Sequence, residues 1–184
     1  MSDKIFEPEI SRSLKKFARE IQSSVPVAIE CKKETGTSFK TSRVEEHQLE
    51  GLLAFENDPF VQKMVVASGK GTRFRGKTGF DFLHCPKGKS YILINFRCTK
   101  KSGGKSIPKG TNRCFCMPIY DFMWAKSYHE MQLHRKSIPY EWFVDNQDVM
   151  EIDRCSWHEG DHLVYGWDLS PLLDQTLPND AVYI

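Results

Sequence analysis

Glu30 and Lys32 are the residues in this chain best placed to do chemistry. The run Val27-Ala28-Ile29-Glu30-Cys31-Lys32 delivers a carboxylate and an amine two residues apart from an apolar stretch. Alternation along a strand sends both side chains from one face. A charge at a buried sheet position is costly, so a pair there has a partner or a task. A carboxylate beside a lysine suits holding a divalent cation and activating a water next to it. Hydrolysis of a phosphodiester asks for such a cation, an in-line water and cover for the developing charge. Two close carboxylates hold Mg²⁺, and a lysine orients the water or helps to deprotonate it. Glu30 supplies one carboxylate. Asp81 is the best candidate for the other: it is the lone acid between Lys63 and Lys109, set between Phe80 and Phe82 in a run that reads as a strand.

The elements that must position these groups follow from the apolar periodicity. Residues 7–23 read as a helix, with Ile10, Leu14, Phe17 and Ile21 in one stripe and Pro8 in its first turn. Glu9 and Glu20 flank that stripe. They read as a solvated face, with reach to a metal at the sheet edge as the alternative. Residues 25–33 form a strand and 34–42 a polar loop. A helix of residues 43–56 follows, with Ser42 and Glu45 at capping-box spacing. Its stripe of Val44, Leu49, Leu52, Leu53 and Phe55 packs it on a sheet.

Downstream, residues 60–67 read as a short strand or helical turn, and 68–79 as a basic, glycine-rich loop with no Walker pattern. Residues 80–83 and 91–96 read as the two strands of a hairpin. A second basic loop covers 99–112, and a strand over 114–119 ends near Pro118. A helix over 120–134 is expected to bury Phe122, Met123, Tyr128 and Met131. Short strands near 149–153 and 162–167 and a final helix at 170–174 complete the chain. The expected fold is α/β, a mixed sheet flanked by helices, in a single domain over 1–184.

Composition is that of a soluble globular protein, with 40% hydrophobic and 27% charged residues. The formal net charge of +2 does not by itself point to nucleic acid. Its distribution does, because the stretch from Lys63 to Lys109 is basic while Glu141 to Asp180 is mostly acidic. Lys70, Arg73, Arg75, Lys77, Lys100, Lys101 and Lys105, all on the two basic loops, are the candidate contacts to DNA phosphates. There is no signal-peptide pattern and no apolar run long enough to span a bilayer, so no membrane association is expected. The six cysteines then read as reduced, and Cys114-x-Cys116 lacks zinc spacing. The expected location is intracellular: cytoplasmic, nucleoid-associated or, for a virus, within the host cell. His158 and His162 are split by Gly160, which favours a loop over a helical zinc pair, and the four tryptophans read as core rather than base-stacking platforms.

Taken together, Ile29-Glu30-Cys31-Lys32, Thr37-Ser38-Phe39 and the helix start Glu45-Glu46-His47-Gln48-Leu49 resemble the PD-(D/E)XK nuclease superfamily. Within it they look most like the RecU-type Holliday-junction resolvases and the related phage and archaeal resolvase-like nucleases. The run Ser90 to Arg97 looks like the strand that follows the helix in that group, so the resemblance covers residues 25–125. It implies a restriction-endonuclease-like core and an Mg²⁺- or Mn²⁺-dependent endodeoxyribonuclease acting on branched or duplex DNA as a homodimer. Glu30 would be a metal ligand and Lys32 the catalytic lysine. Gln48 would face the active site from the neighbouring helix. The metal would be held by Glu30, Asp81 and the carbonyl of Cys31. In the family the aspartate precedes the ExK strand, whereas the only upstream aspartate here is Asp3. Three alternatives stand open: a site assembled in altered chain order, an incomplete site, and a degenerate pairing of Asp81 with Asn95-x-Arg97. An inactive DNA-binding module and a protein-interaction domain are the rival functional readings.

Overall fold

The computed structural model describes residues 3–21, 26–57, 60–66, 79–85, 88–98, 107–108 and 110–173, with backbone alone at 3–5, 18–21, 60–66 and 79–85. In chain order, helix α1 (Asp3–Ile21) leads to strand β1 (Val27–Glu34) and a short strand β2 (Ser38–Lys40). A 3₁₀ turn over Thr41–Arg43 leads into α2 (Glu46–Asn57). Strands β3 (Phe60–Val66), β4 (Gly79–Cys85), β5 (Lys89–Arg97) and β6 (Asn112–Pro118) follow. Helix α3 (Ile119–Ser127) runs on as a π turn, Tyr128–Gln132. Then come β7 (Ser137–Pro139), α4 (Tyr140–Asp145), β8 (Met150–Ile152), β9 (Arg154–Glu159), β10 (His162–Trp167) and α5 (Ser170–Leu173).

The protein is mixed α/β. Its principal sheet has the order β1-β5-β6-β8, with β1 parallel to β5 and the other pairings antiparallel. The parallel pair needs a crossover, and α2 supplies it. Strand β5 is buried along almost its whole length, as a central strand covered on both faces must be. Its alternation sorts the core in two. Ile92, Ile94 and Phe96 join Leu49 and Leu52 of α2, Phe122 of α3 and Phe143 of α4 on one face. Tyr91 and Leu93 join Phe6, Ile10, Trp167 and Leu172 on the other, beneath α1. Phe96 touches Phe115, Tyr140 and Phe143 at centroid separations of 5.9, 5.2 and 5.2 Å, spacings at which rings attract beyond their buried area.

Four expectations are corrected. Strands 79–85 and 89–97 do not form a hairpin with each other. β4 pairs antiparallel with β3, and β5 enters the main sheet between β1 and β6. Alternation marks a strand without naming its neighbour, and β5 finds partners that bury both its faces. Second, α2 starts at Glu46, because Glu45 and Gln48, not Ser42 and Glu45, close its N-terminus: the Glu45 N–H donates to Gln48 Oε1 at 3.0 Å. Third, α3 buries Ile119, Phe122 and Ala125, while Met123, Tyr128 and Met131 are exposed. Phe122 is buried as expected, but the stripe facing the sheet continues through Ala125 to His129, which lies inward in the π turn. Fourth, Glu9 is neither solvated nor at the sheet edge. It is buried, accepts from Trp167 Nε1 at 3.2 Å and pairs with Arg154 at 3.1 Å.

Helix α1 approaches β10 through a glycine. A Cβ on Gly166 would lie 2.4 Å from Ser13 Oγ and 2.5 Å from the Trp157 ring. Ser13 cannot yield, since its hydroxyl donates to the Glu9 carbonyl and accepts from the Trp167 amide, both at 2.9 Å. On the same side of the sheet, Cys31, Leu93 and Cys116 form one rung across β1, β5 and β6, with Cys114 two residues along β6. Cys31, Cys114, Cys116 and Cys155 are free thiols. No described helix is long and apolar enough to cross a membrane.

Candidate functional site

Alternation in β1 decides what Glu30 and Lys32 can meet. Val27, Ile29 and Cys31 pack under α1, while Ala28 packs with the α2 side of the core. Glu30 and Lys32 therefore leave on the α2 face. There, α2 presents Gln48 from its first turn. Lys32 Nζ lies 2.7 Å from Glu30 Oε1 and donates to Gln48 Oε1 at 3.0 Å. Gln48 Nε2 donates to Glu30 Oε1, also at 3.0 Å. The three side chains form a closed triangle in which each polar group meets a complementary one. Glu30 is 25% and Lys32 14% exposed, so the triangle is sheltered yet reachable. Gln48 is held in register from behind by the Glu45 amide that shares its carbonyl oxygen.

Two consequences are chemical. Both contacts to Glu30 engage Oε1, and among the described residues none is made to Oε2, which leaves a carboxylate oxygen for a cation. An ammonium has three N–H donors, and two of those on Lys32 are engaged. Lys32 also lines a cavity of about 300 Å³ with Glu7, Cys31, Lys33, Arg43 and Glu45. That cavity lies along the outer edge of β1, the edge strand of the sheet. The Cys31 thiol on the opposite face is pushed up to about 12, first by burial and then by the charges of Glu30 and Glu7. Burial therefore favours its neutral thiol form.

Of the residues expected at a site, Glu30, Lys32 and Gln48 are brought together. Asp81 sits on β4 opposite Met64, in the two-stranded β3–β4 sheet, and its side chain lies outside the described residues. Lys70, Arg73, Arg75, Lys77, Lys100, Lys101 and Lys105 also lie outside the described residues. Asn95 is buried and donates to Asn112 Oδ1 at 3.0 Å and to the Arg113 carbonyl at 3.3 Å, which gives it a structural task within the sheet. His47 is 72% exposed and faces Glu45 at 3.3 Å. His158 and His162 lie on the β9–β10 hairpin, one register step apart and both exposed. Trp167 is core, whereas Trp124 is exposed and stacked on Tyr128 at 5.3 Å.

Sequence reasoning missed Glu7, Glu34 and Arg43. Glu34 leaves β1 on the same face as Glu30 and Lys32. Its Oε1 accepts from the Thr35 and Gly36 amides, both at 2.8 Å. Its Oε2 meets Arg43 Nη1 at 3.0 Å. The period-2 spacing of Glu30, Lys32 and Glu34 was the available signal. Glu7 is one helical turn before Ser11 on an exposed flank of α1, and nothing local to it marks a role.

Among the described residues no group of three or more histidine, cysteine or acidic side chains converges as a preformed metal cluster. Comparison with protein-family models, curated proteins and solved structures returns no match to this chain.

Proposed function

We propose that this protein is a metal-dependent endodeoxyribonuclease centred on Glu30, Lys32 and Gln48. The observation that carries the reading is the closed Glu30–Lys32–Gln48 triangle on the edge strand, partly exposed beside a polar cavity. A sheltered ion pair is held best when a third polar group bonds both partners. Here that group is an amide from the first turn of α2, which fixes the geometry of the pair. The parallel pairing of β1 with β5 is in keeping with the resemblance to PD-(D/E)XK nucleases, although the β3–β4 pair intervenes between α2 and β5.

Glu30 Oε2 is a hard oxygen donor of the kind Mg²⁺ or Mn²⁺ takes, whereas Glu7 lines the neighbouring cavity from α1, on the other face of β1. Asp81 and the Cys31 carbonyl complete the set that the resemblance implies. When bound, the metal would polarise the phosphoryl oxygen and activate a water. The chain's own residues do the rest. Lys32 presents its ammonium to the cavity, Glu30 holds that ammonium in place, and Gln48 fixes the orientation of both. Resolution of a branched junction, with a homodimer making two symmetric cuts, is the finer form of this proposal.

A second reading, DNA binding without cleavage, draws on one observation. β1 is the sheet's edge, and among the described residues no strand bearing a carboxylate pairs with its outer side. Incubating the protein with supercoiled plasmid and with a four-way junction, in Mg²⁺, Mn²⁺ or chelator, separates the two. Metal-dependent cleavage that is lost in Glu30→Ala and Lys32→Ala supports the nuclease. Cleavage surviving both substitutions sinks it, and binding without cleavage in either metal selects the second reading.

A further inference from the structure

We propose that the cavity on the outer edge of β1 is a phosphate-binding site, with Arg43 as the clamp that positions the phosphodiester against Lys32. The identity of the anion rests on the nuclease reading above; the site itself rests on how Arg43 is built in. Arg43 Nη1 donates to the Lys33 carbonyl at 2.5 Å and to Glu34 Oε2 at 3.0 Å. Its guanidinium carbon lies 6.0 Å from the Phe39 ring centroid, and Phe39 is fully buried. Glu34 is itself fixed by two backbone amides and is 13% exposed. The guanidinium is thus held from one side by a carboxylate, a carbonyl and a ring.

Both hydrogens of Nη1 are engaged by these contacts. Among the described residues Nε and Nη2 are not, and Arg43 lines the cavity. An immobilised guanidinium edge matches the paired oxygens of a phosphate better than any other side chain does. Lys32 and Lys33 line the same space. Lys32 is already paired with Glu30 and Arg43 with Glu34, so the pull on an anion comes from the open guanidinium edge. The lining adds two carboxylates. One of these, Glu45, is 67% exposed and drawn to His47 at 3.3 Å. The other, Glu7, is exposed on α1. Because Lys32 belongs both to this cavity and to the Glu30 triangle, a phosphate held by Arg43 lies next to the group that would act on it. Holding the reacting ester in this way cuts the entropic part of its barrier.

The test is binding of a fluorescein-labelled DNA duplex in chelator across a series of NaCl concentrations, with thermal melting of every variant. Arg43→Met is expected to weaken binding about fivefold and to reduce the slope of log Kd against log salt by about 1, the signature of one lost phosphate contact. Arg43→Lys is expected to restore that slope, while cleavage in Mg²⁺ stays below wild type because the fork is lost. A purely structural arginine would change the melting temperature and leave the slope alone. Folded Arg43→Met with wild-type affinity and slope overturns the clamp. If Arg43→Met does not fold, Arg43→Gln, whose amide can still donate to the Lys33 carbonyl, is read in the same way, and an unchanged slope there overturns it. A wild-type protein that binds no DNA overturns the nuclease reading itself. Wild type that binds and cuts, with both variants unaffected, overturns only this inference.

Discussion

Gln48 Nε2 donates to Glu30 Oε1 over 3.0 Å, joining the first turn of α2 to a carboxylate 18 residues earlier in the chain. Removing that amide affects two things at once. Gln48→Ala leaves the Glu45 N–H and one Lys32 donor without their acceptor and costs about 1–2 kcal/mol. Chemical denaturation should show this loss, and metal-dependent cleavage should fall by more than the loss of folded protein accounts for. Equal decreases in activity and folded fraction would mean that Gln48 is only a cap.

The Glu30–Lys32 pair should show strong coupling. Lys32→Met leaves a sheltered carboxylate facing a single amide donor and costs about 2 kcal/mol, whereas adding Glu30→Gln recovers part of that loss. Urea unfolding of the two single variants and the double variant measures the interaction directly. Strict additivity would show that the two charges ignore each other.

Acid should weaken the fold through His129. Its ring is buried, no described group bonds either nitrogen, and Tyr128 and Trp142 meet it edge-on. Burial, and then the charge of Arg135, pull its pKa below the ordinary 6.5. The unfolded chain therefore takes up a proton before the folded one does. Stability from this group is full above pH 6.5 and is lost as the pH falls below it. His129→Phe should narrow the difference in melting temperature between pH 7.5 and pH 5.5, two values about one unit either side of that pKa. An undiminished difference would move the acid sensitivity elsewhere.

Gly166→Ala should destabilise by about 1–3 kcal/mol, since the added methyl meets Ser13 Oγ and the Trp157 ring and neither can retreat freely. A melting curve at neutral pH reads the effect. Unchanged stability would require α1 to shift, which a change in intrinsic tryptophan fluorescence, with Trp157 and Trp167 both at that contact, would report.

The legible part of the fold was the part written in local pattern. The apolar run at 27–31, the stripe of α2 and the ExK spacing each follow from a few neighbouring residues, and they put Glu30 and Lys32 on one face; Gln48 beside them was expected from the family resemblance alone. Partner choice was not legible. The run around Tyr91–Phe96 alternates identically whether it pairs with β4 or lies between β1 and β6. Glu34 and Arg43 look like two solvated charges nine positions apart, and only the turn over Thr35 and Gly36 turns them into a bonded pair. Glu9 misled for a related reason: it falls on the same side of α1 as Phe6 and Ser13, a polar interruption in a buried stripe, and its partners come from β9 and β10.

The cysteine rung under α1 makes the sheet its own reporter. Burial raises the Cys31, Cys114 and Cys116 thiols well above their usual range, so in the closed fold they present almost no thiolate to an alkylating reagent. Fully buried Cys114 and Cys116 become reactive only when α1 lifts from the strands beneath it, whereas half-buried Cys31, beside the edge cavity, is reachable without that opening. The rate at which Cys114 and Cys116 are labelled under native conditions is therefore a clock for that opening, with no probe introduced. Half-buried Cys155 on β9, also raised by burial but to a lesser degree, should label first and mark the zero of the same time course.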